Sequence, residues 1–557
     1  MPRERLALGL DSSTQSLSAV VIDIDTAEKC FEHSLDYRAD ARLNHFGIGE
    51  DYILPPREEG EAEQPPLMYL ASLDALFADM REAGIPLENI SLINTSGQQH
   101  GHVYLNQDAD TLLAQLTRPD AVTSSLQILL KDAFAYPNAP IWMTANTTAQ
   151  TEAVRNGVGG KAKMIDLSGS DAPLRFTGTV VRRVGEQFPE CYTATAKVQL
   201  ISSFIPAVLT GNADVPIDYG NGCGMSLMNY RGKVWDPALL AATAEGLPGG
   251  VERLPSKLPS LARPDSIVGS LAAYYVEKYG FDGRCAVIAG SGDNPQSKVP
   301  VAGDLLSLGT SFVNMVSTDG DTLDPEGFAN AMYDGINRPF MFGCRTNGAM
   351  VWDAVRSQYG LSKEEYAPAE AALQTVAPGE FMTFWQPKTE SFPVSGAFEC
   401  IRATAQSTLA EDYTGIIETS LAAVYIYSAV FTKQTQDPLF VTGGATESPE
   451  IMRRVAGIWN RPTLPVETGG AALGAAVAGV KALFDAAGKS KLAIEKGDAD
   501  ADMVAESFDV EAFSAAVLKR GESIQPNPAD VAAYHGEGKY LQQFREKYEK
   551  IIAEHPI

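Results

Sequence analysis

At 557 residues, with 45% hydrophobic and 20% charged positions, the chain is long enough for two or more domains that each bury a core. Seventy acids against 44 Lys and Arg give a net charge of -26, which repels nucleic acid and anionic lipid and argues against both as partners. A phosphorylated ligand remains compatible, because backbone N–H groups and Mg²⁺ hold phosphate without a basic surface.

From the N-terminus, "MPRERLALGLDSSTQ" passes straight into a strand-and-turn pattern rather than an apolar signal core, so a cytoplasmic location is expected. "LALGLDSSTQSLSAVVIDID" reads as a β-hairpin whose turn is built from small hydroxyl residues. The segment "GEDYILPPREEGEAEQPP", Gly49 to Pro66, reads as a surface loop without chemistry. Leu70, Leu73, Leu76, Phe77 and Met80 then share one face of a helix, and a strand leads into the loop "SGQQHGHVYLN". "GVGGKAK" lacks both the spacing and the hydroxyl of a P-loop, and no G-x-G-x-x-G opens a helix after a strand.

Three prolines in "LPSKLPSLARPDSIVGS" suggest a domain boundary, giving expected domains over 1–265, 266–485 and a C-terminal extension over 486–557. The strand Ala286, Val287, Ile288 runs into "AGSGDNP", and a second hairpin, "GDLLSLGTSFVNMVS", repeats the grammar of the first. The apolar run Leu421 to Phe431 is too short to span a bilayer and reads as a buried helix. "VTGGATES" is a strand followed by Gly443 and Gly444, "EKGDADADMVAES" an acidic loop, and a final amphipathic helix carries Tyr540, Leu541, Phe544, Tyr548, Ile551 and Ile552. Six scattered cysteines without metal spacing read as reduced and mostly buried.

Two turns could cradle phosphate with backbone N–H groups and hydroxyls, one at Thr14 and Gln15 and one at Gly309, Thr310 and Ser311, though each alone reads first as an ordinary tight turn. Asp11 is either a solvated turn residue or a carboxylate that holds Mg²⁺ through water. Gln99 and His100 offer donors and acceptors suited to a polyhydroxylated ligand. Asp293 would serve as a general base if a substrate hydroxyl reached it, with Asn294 fixing a neighbouring hydroxyl. Gly443 and Gly444 could let an adenosine lie against bare backbone or simply join a strand to a helix.

Taken in order, "GLDSSTQS", "SGQQHG", "APIWMTANTTAQ", "RFTG", "PIDYGNGCGMS", "GSGDNP", "LLSLGTS" and "VTGGA…TGGAALGAA" resemble the FGGY carbohydrate kinases, most closely xylulokinases of animal type, from about Leu6 to Leu483. The resemblance implies an α/β, actin-like ATPase fold: two ribonuclease-H-like domains with mixed sheets flanked by helices around a central cleft. By the same carry-over, Asp293 is the base for phosphoryl transfer from Mg·ATP to a terminal sugar hydroxyl, and Asp11 is the metal-associated acid. Thr14, Gln15, Gly309, Thr310 and Ser311 match the phosphate hairpins, Gly443 and Gly444 the adenosine loop, and Gln99, His100 and Asn294 the sugar contacts. Thr144, Asp171, Asn221 and Ser18 depart from the family pattern. Losing an arginine at the position of Asp171 would alter hydroxyl recognition by about 1–3 kcal/mol, with Arg175 or Arg183 as candidate substitutes.

The expected activity is phosphorylation of a ketopentose, D-xylulose first. Alternatives are a kinase for another ketose or polyol, a nucleotide-dependent sensor that has lost catalysis, and an actin-like ATPase without a sugar, which would leave "SGQQHG" and Asn294 without a purpose. The sequence leaves the oligomeric state open and is compatible with a homodimer.

Overall fold

The computed structural model describes residues 5–362, 364–402, 404, 406–495 and 508–557. The acidic stretch from Lys496 to Ser507, expected to be a loop, lies outside them. The chain forms two compact units: one comprises residues 1–300, 332–339 and 468–517, the other 301–331, 340–467 and 518–557.

The first unit is built on a mixed sheet. β1 (Leu6–Ser12), β2 (Ser16–Asp23) and β3 (Lys29–Asp36) form an antiparallel meander. β4 (Ile90–Gly97) lies parallel to the other side of β1, and beyond it come β6 (Ala286–Ile288) and then β5 (Ile267–Ser270). The short β7 (Ser291–Gly292) also pairs in parallel with β4. Side chains alternate across a strand, so Leu6, Leu8 and Leu10 of β1 share one face, and they join a core with Met68, Leu73 and Phe77. Those residues come from α1 (Pro66–Glu82), the helix whose apolar face the sequence predicts.

The opposite face of β1 is covered by α4 (Gly470–Glu495) at backbone range. A Cβ on Gly9 would sit 1.8 Å from the Ala472 carbonyl oxygen, so only glycine permits this approach. The same helix meets α2 (Asp293–Lys298) through Gly474, where a Cβ would lie 1.8 Å from the carbonyl oxygen of Gln296.

In the second unit the motif recurs. β8 (Leu305–Leu308) and β9 (Phe312–Ser317) form a hairpin, β10 (Pro339–Arg345) pairs antiparallel with β9, and β11 (Leu439–Thr442) lies parallel to β8. β12 (Thr463–Glu467) continues in parallel, and β13 (Lys519–Arg520) closes the edge. The duplicated hairpin architecture expected from the sequence is therefore present in both units.

Helix α3 (Leu409–Ser428) is almost wholly buried and opens with a reciprocal capping box between Thr408 and Glu411. It includes the start of the apolar run that the sequence assigns to a buried helix; Val430, near the end of that run, lies past the helix and is exposed. Helix α5 (Tyr540–Glu554) buries Tyr540, Leu541, Phe544 and Tyr548, as its pattern predicts. Among the described residues no helix is long and apolar enough to cross a membrane.

The observed division differs from the boundaries expected at 265 and 485. The Pro-rich segment does not end the first unit, because the strands that follow it, β5, β6 and β7, complete the first sheet. Asp293 thus belongs to the first unit rather than to a C-terminal domain. Nor do the last residues form an appendage to the chain: Tyr534 donates to Glu418 of α3 at 2.7 Å, and Arg453 grips Asp530 through two hydrogen bonds.

Candidate active site

Sheet register assembles the acidic end of the first unit. β1, β4 and β7 are parallel, and Asp11 and Ser291 both pair with Ser96, while Ser12 and Gly292 both pair with Gly97. Three strands therefore end in line, at the carboxyl edge where open α/β sheets bind ligands. Asp11 is the last residue but one of β1, and Asp293 directly follows β7.

Asp293 is the first residue of α2, and its Oδ1 accepts from the N–H of Asn294 at 2.7 Å and from Asn294 Nδ2 at 3.0 Å. The Gln99 N–H also donates to it. Removal from water, with the Asp11 carboxylate as a second cause, pushes the Asp293 carboxyl up to about 7 despite those donors. Burial likewise raises Asp11 to about 6, with the Ser96 hydroxyl opposing the shift. Asp11 Oδ1 is enclosed and has no hydrogen-bond partner among the described residues.

Gln99 lies beside Asp293, and His100 follows Gln99 in the chain. Gln99 is 4% exposed, yet neither its amide oxygen nor its amide nitrogen has a partner among the described residues. A buried amide with both ends open is costly unless a ligand bonds it. Gly292 makes room, since a Cβ there would lie 2.6 Å from Gln99 Oε1. His100 has φ of 65° and stacks on Phe176 with ring centroids 4.4 Å apart. Its Nδ1 lies 2.8 Å from the Gly224 carbonyl, which can only accept, so Nδ1 carries the proton. Burial first, and then Arg175, hold the imidazole well below its ordinary basicity. The ring is therefore neutral, and Nε2 keeps a lone pair to receive a ligand hydroxyl.

Thr14 sits in a closed ring of hydrogen bonds. Its hydroxyl receives Trp142 Nε1–H at 2.8 Å and donates to Gln98 Oε1 at 3.3 Å; Gln98 Nε2 donates to Gln64 Oε1, and Gln64 Nε2 returns to the Thr14 carbonyl at 2.8 Å. Gln15 is exposed at the tip of the hairpin. Gln64 and Gln98 are residues that sequence reasoning missed, and Gln64 lies in the loop to which the sequence assigns no chemistry. That loop pairs with the tryptophan segment: Ile141 N–H and the Thr144 hydroxyl both donate to the Ala62 carbonyl, each at 3.0 Å. Beneath it Glu61 and Glu63 are buried against Arg57 and Arg183.

The departures from the family pattern also find partners. Asp171 is gripped by Arg155, with Nε to Oδ1 at 2.8 Å and Nη2 to Oδ2 at 3.1 Å. Arg183, a candidate substitute on sequence grounds, is committed instead to the buried glutamates, while Arg175 lies near His100. Asn221 Nδ2 donates to Ser202 Oγ at 2.8 Å, and Ser18 shares a hydrogen bond with Ser34.

In the second unit, Gly309, Thr310 and Gly444 line a cleft of 610 Å³ together with Trp352, Arg356, Tyr366 and Ile451. Ser311 lies just behind the hairpin tip, its hydroxyl donating to the Thr346 carbonyl at 3.3 Å. Gly443 has φ of 102°, and a Cβ there would sit 2.5 Å from the Leu308 carbonyl oxygen, whereas nothing lies within 4 Å of the same point on Gly444. Tyr366, 64% exposed with the Arg356 guanidinium 4.4 Å from its ring centre, carries no motif that could have revealed it.

Each unit thus carries a hairpin-led mixed sheet, with paired carboxylates at the strand ends of one and a glycine-edged cleft in the other. Models of the N-terminal and C-terminal domains of the FGGY family of carbohydrate kinases match residues 124–299 and 305–483, and the chain belongs to that family. It is 28% identical to the xylulose kinase of Rattus norvegicus over 83% of this chain and 85% of that protein. Its match to the probable D-xylulose kinase A of Aspergillus flavus, at 31% identity, takes in 67% of this chain but spans 65% of that protein's length. Among solved structures, a ligand-bound xylulose kinase from Lactobacillus acidophilus superposes with a TM-score of 0.76 at 19% identity, covering 99% of this chain and 98% of that one. Plasmodium falciparum glycerol kinase with ADP gives 0.71 at 13%, covering 100% and 99%. These two likenesses speak for the fold alone.

Proposed function

We propose that the protein transfers the γ-phosphoryl group of ATP to the terminal primary hydroxyl of D-xylulose, forming D-xylulose 5-phosphate. The observation that carries this reading is the buried Gln99 amide, unbonded at both ends, beside a raised-pKa carboxyl and a neutral imidazole. Such a set recognises hydroxyls and can take a proton from one. The names of the rat and Aspergillus relatives supply the sugar.

Gln99, His100 and Asn294 hold sugar hydroxyls, His100 by accepting at Nε2. Asp293 takes the proton of the attacking hydroxyl as its oxygen bonds to the γ-phosphorus and the bond from that phosphorus to the ADP oxygen breaks. Thr14, Gln15, Gly309, Thr310 and Ser311 serve the phosphates through backbone N–H groups, with the Thr310 hydroxyl beside them, since the Thr14 and Ser311 hydroxyls donate to Gln98 and to the Thr346 carbonyl. Gly443 and Gly444 admit the adenosine, and the aromatic and apolar walls of the cleft suit a base rather than a phosphate.

Asp11 fits a divalent cation, because an enclosed carboxylate oxygen without a donor is the acceptor such an ion satisfies. No group of three or more metal-binding side chains occurs among the described residues. Mg²⁺ would supply charge neutralisation on the triphosphate.

A coupled ADP-release assay over a panel of ketoses and polyols tests the reading. D-xylulose is expected to give the highest kcat/KM; absence of sugar-stimulated ADP release removes the kinase assignment, and a better polyol or ketose replaces the substrate.

A further inference from the structure

Two buried residues of the first unit, Asp218 and Ser291, have no role among those assigned above. Ser291 Oγ donates to Asp218 Oδ2 at 2.5 Å, and both residues are essentially inaccessible to solvent. Ser291 stands two positions before Asp293 on β7. From Asp218 the chain makes one tight helical turn, Tyr219–Gly222, and arrives at Gly224, whose carbonyl receives the Nδ1–H of His100. A single carboxylate thus joins the strand that carries one reacting group to the turn that carries the support of another.

We propose that Asp218 and Ser291 form a positioning bridge that fixes Asp293 relative to His100. The inference rests on the reading of Asp293 as the base and His100 as a sugar contact.

Further bonds make the bridge stiff. The oxygen that accepts from Ser291 also accepts the Asn221 N–H at 3.0 Å, so the carboxylate sets the turn and the strand together. Asn221 Nδ2 ties the same turn to Ser202 in the helix Ile201–Thr210. Two glycines let the turn wedge in: a Cβ on Gly220 would sit 2.7 Å from Ser291 Oγ, and one on Gly224 would sit 2.7 Å from His100 Nδ1. A carboxylate stripped of water is expensive to keep, and this one's side-chain partner lies on the strand leading to the base. His100 adds the complementary sign of constraint, a non-glycine residue held at positive φ.

The test uses the full chain with D-xylulose and ATP, comparing the wild type with S291A, D218N and the double variant. In each single variant kcat/KM for the sugar is expected to fall about ten- to a hundredfold, the scale of a misplaced reacting group, while KM for ATP stays within about twofold. The double variant should be no worse than the poorer single one, because both changes cut the same bond. S291A is expected to keep its melting temperature, and it carries the test if D218N does not fold. S291A turnover like that of the wild type, losses that multiply, or KM for ATP rising in step with the sugar each overturn the bridge. If the wild type turns over no sugar, the kinase reading fails by itself, and crystal structures of the wild type and S291A decide the bridge. There the Gly224 carbonyl, 2.8 Å from His100 Nδ1, is expected to move out of hydrogen-bond range in S291A, and its staying in place overturns the proposal.

Discussion

The Asp293 carboxyl links activity and stability with opposite signs. In the proposed role of base it works only when ionised, so kcat/KM should fall about tenfold per pH unit below about 7, in a pH–rate profile at fixed ionic strength. For stability, its folded pKa lies above the ordinary 3.8, so the folded chain keeps a proton that the unfolded chain releases. Stability therefore declines as pH climbs from about 4 to 7, and the whole penalty is present above that. Asp293→Asn should accordingly lower turnover by about a thousandfold while raising the melting temperature at pH 8, a gain that shrinks as pH falls and is nearly gone at about pH 4; calorimetry at both pH values checks it. Asp171 leads to a second expectation. A simple D171R change sets a second guanidinium against Arg155, so it should destabilise the fold by about 1–2 kcal/mol in urea unfolding, and D171R/R155A should recover most of that. Of these features the turn holding Asp293 and the loop holding His100 were legible, because small residues around a polar one mark a strand-end site. The Arg155 clasp and the Gln64 ring were not, since pairs formed across many residues leave no local period.

Elements were legible in proportion to their periodicity. The amphipathic stripes of α1 and α5 and both hairpins appear where their patterns place them, whereas β7 is too short to have one, and its pairing with β4 moves Asp293 to the other unit. The sheet that carries these strand ends is covered at close range by α4. Gly9 and Gly474 each bring a backbone of that region within reach of a neighbouring carbonyl, a contact no other residue allows. Gly9→Ala is expected to cost more than about 3 kcal/mol, as overpacking against backbone does when nothing flexible can yield. Urea unfolding should show it as a lower midpoint, and Gly84→Ala serves as the comparison: nothing stands within 4 Å of its Cβ position, and its cost comes only from φ of 77°.

At the scale of the whole molecule, α5 is a part of the second core rather than a tail. Phe384 stacks on Phe544 and on Tyr548, and the Tyr548 hydroxyl donates to Gln386 at 3.0 Å. A chain stopped after Gly538 should lose the cooperative unfolding of the second unit and with it the binding of an ATP analogue, as followed by calorimetry and titration. The interleaving of the units, with 468–517 returning to the first and 518–557 to the second, has a consequence for synthesis. When the first three hundred residues have left the ribosome, β1 still lacks the helix that will lie over Gly9, and at about 5–20 residues per second that helix follows roughly ten seconds or more later. During the wait the nascent chain leaves that face of the sheet uncovered, the kind of exposed surface that makes folding intermediates prone to aggregate.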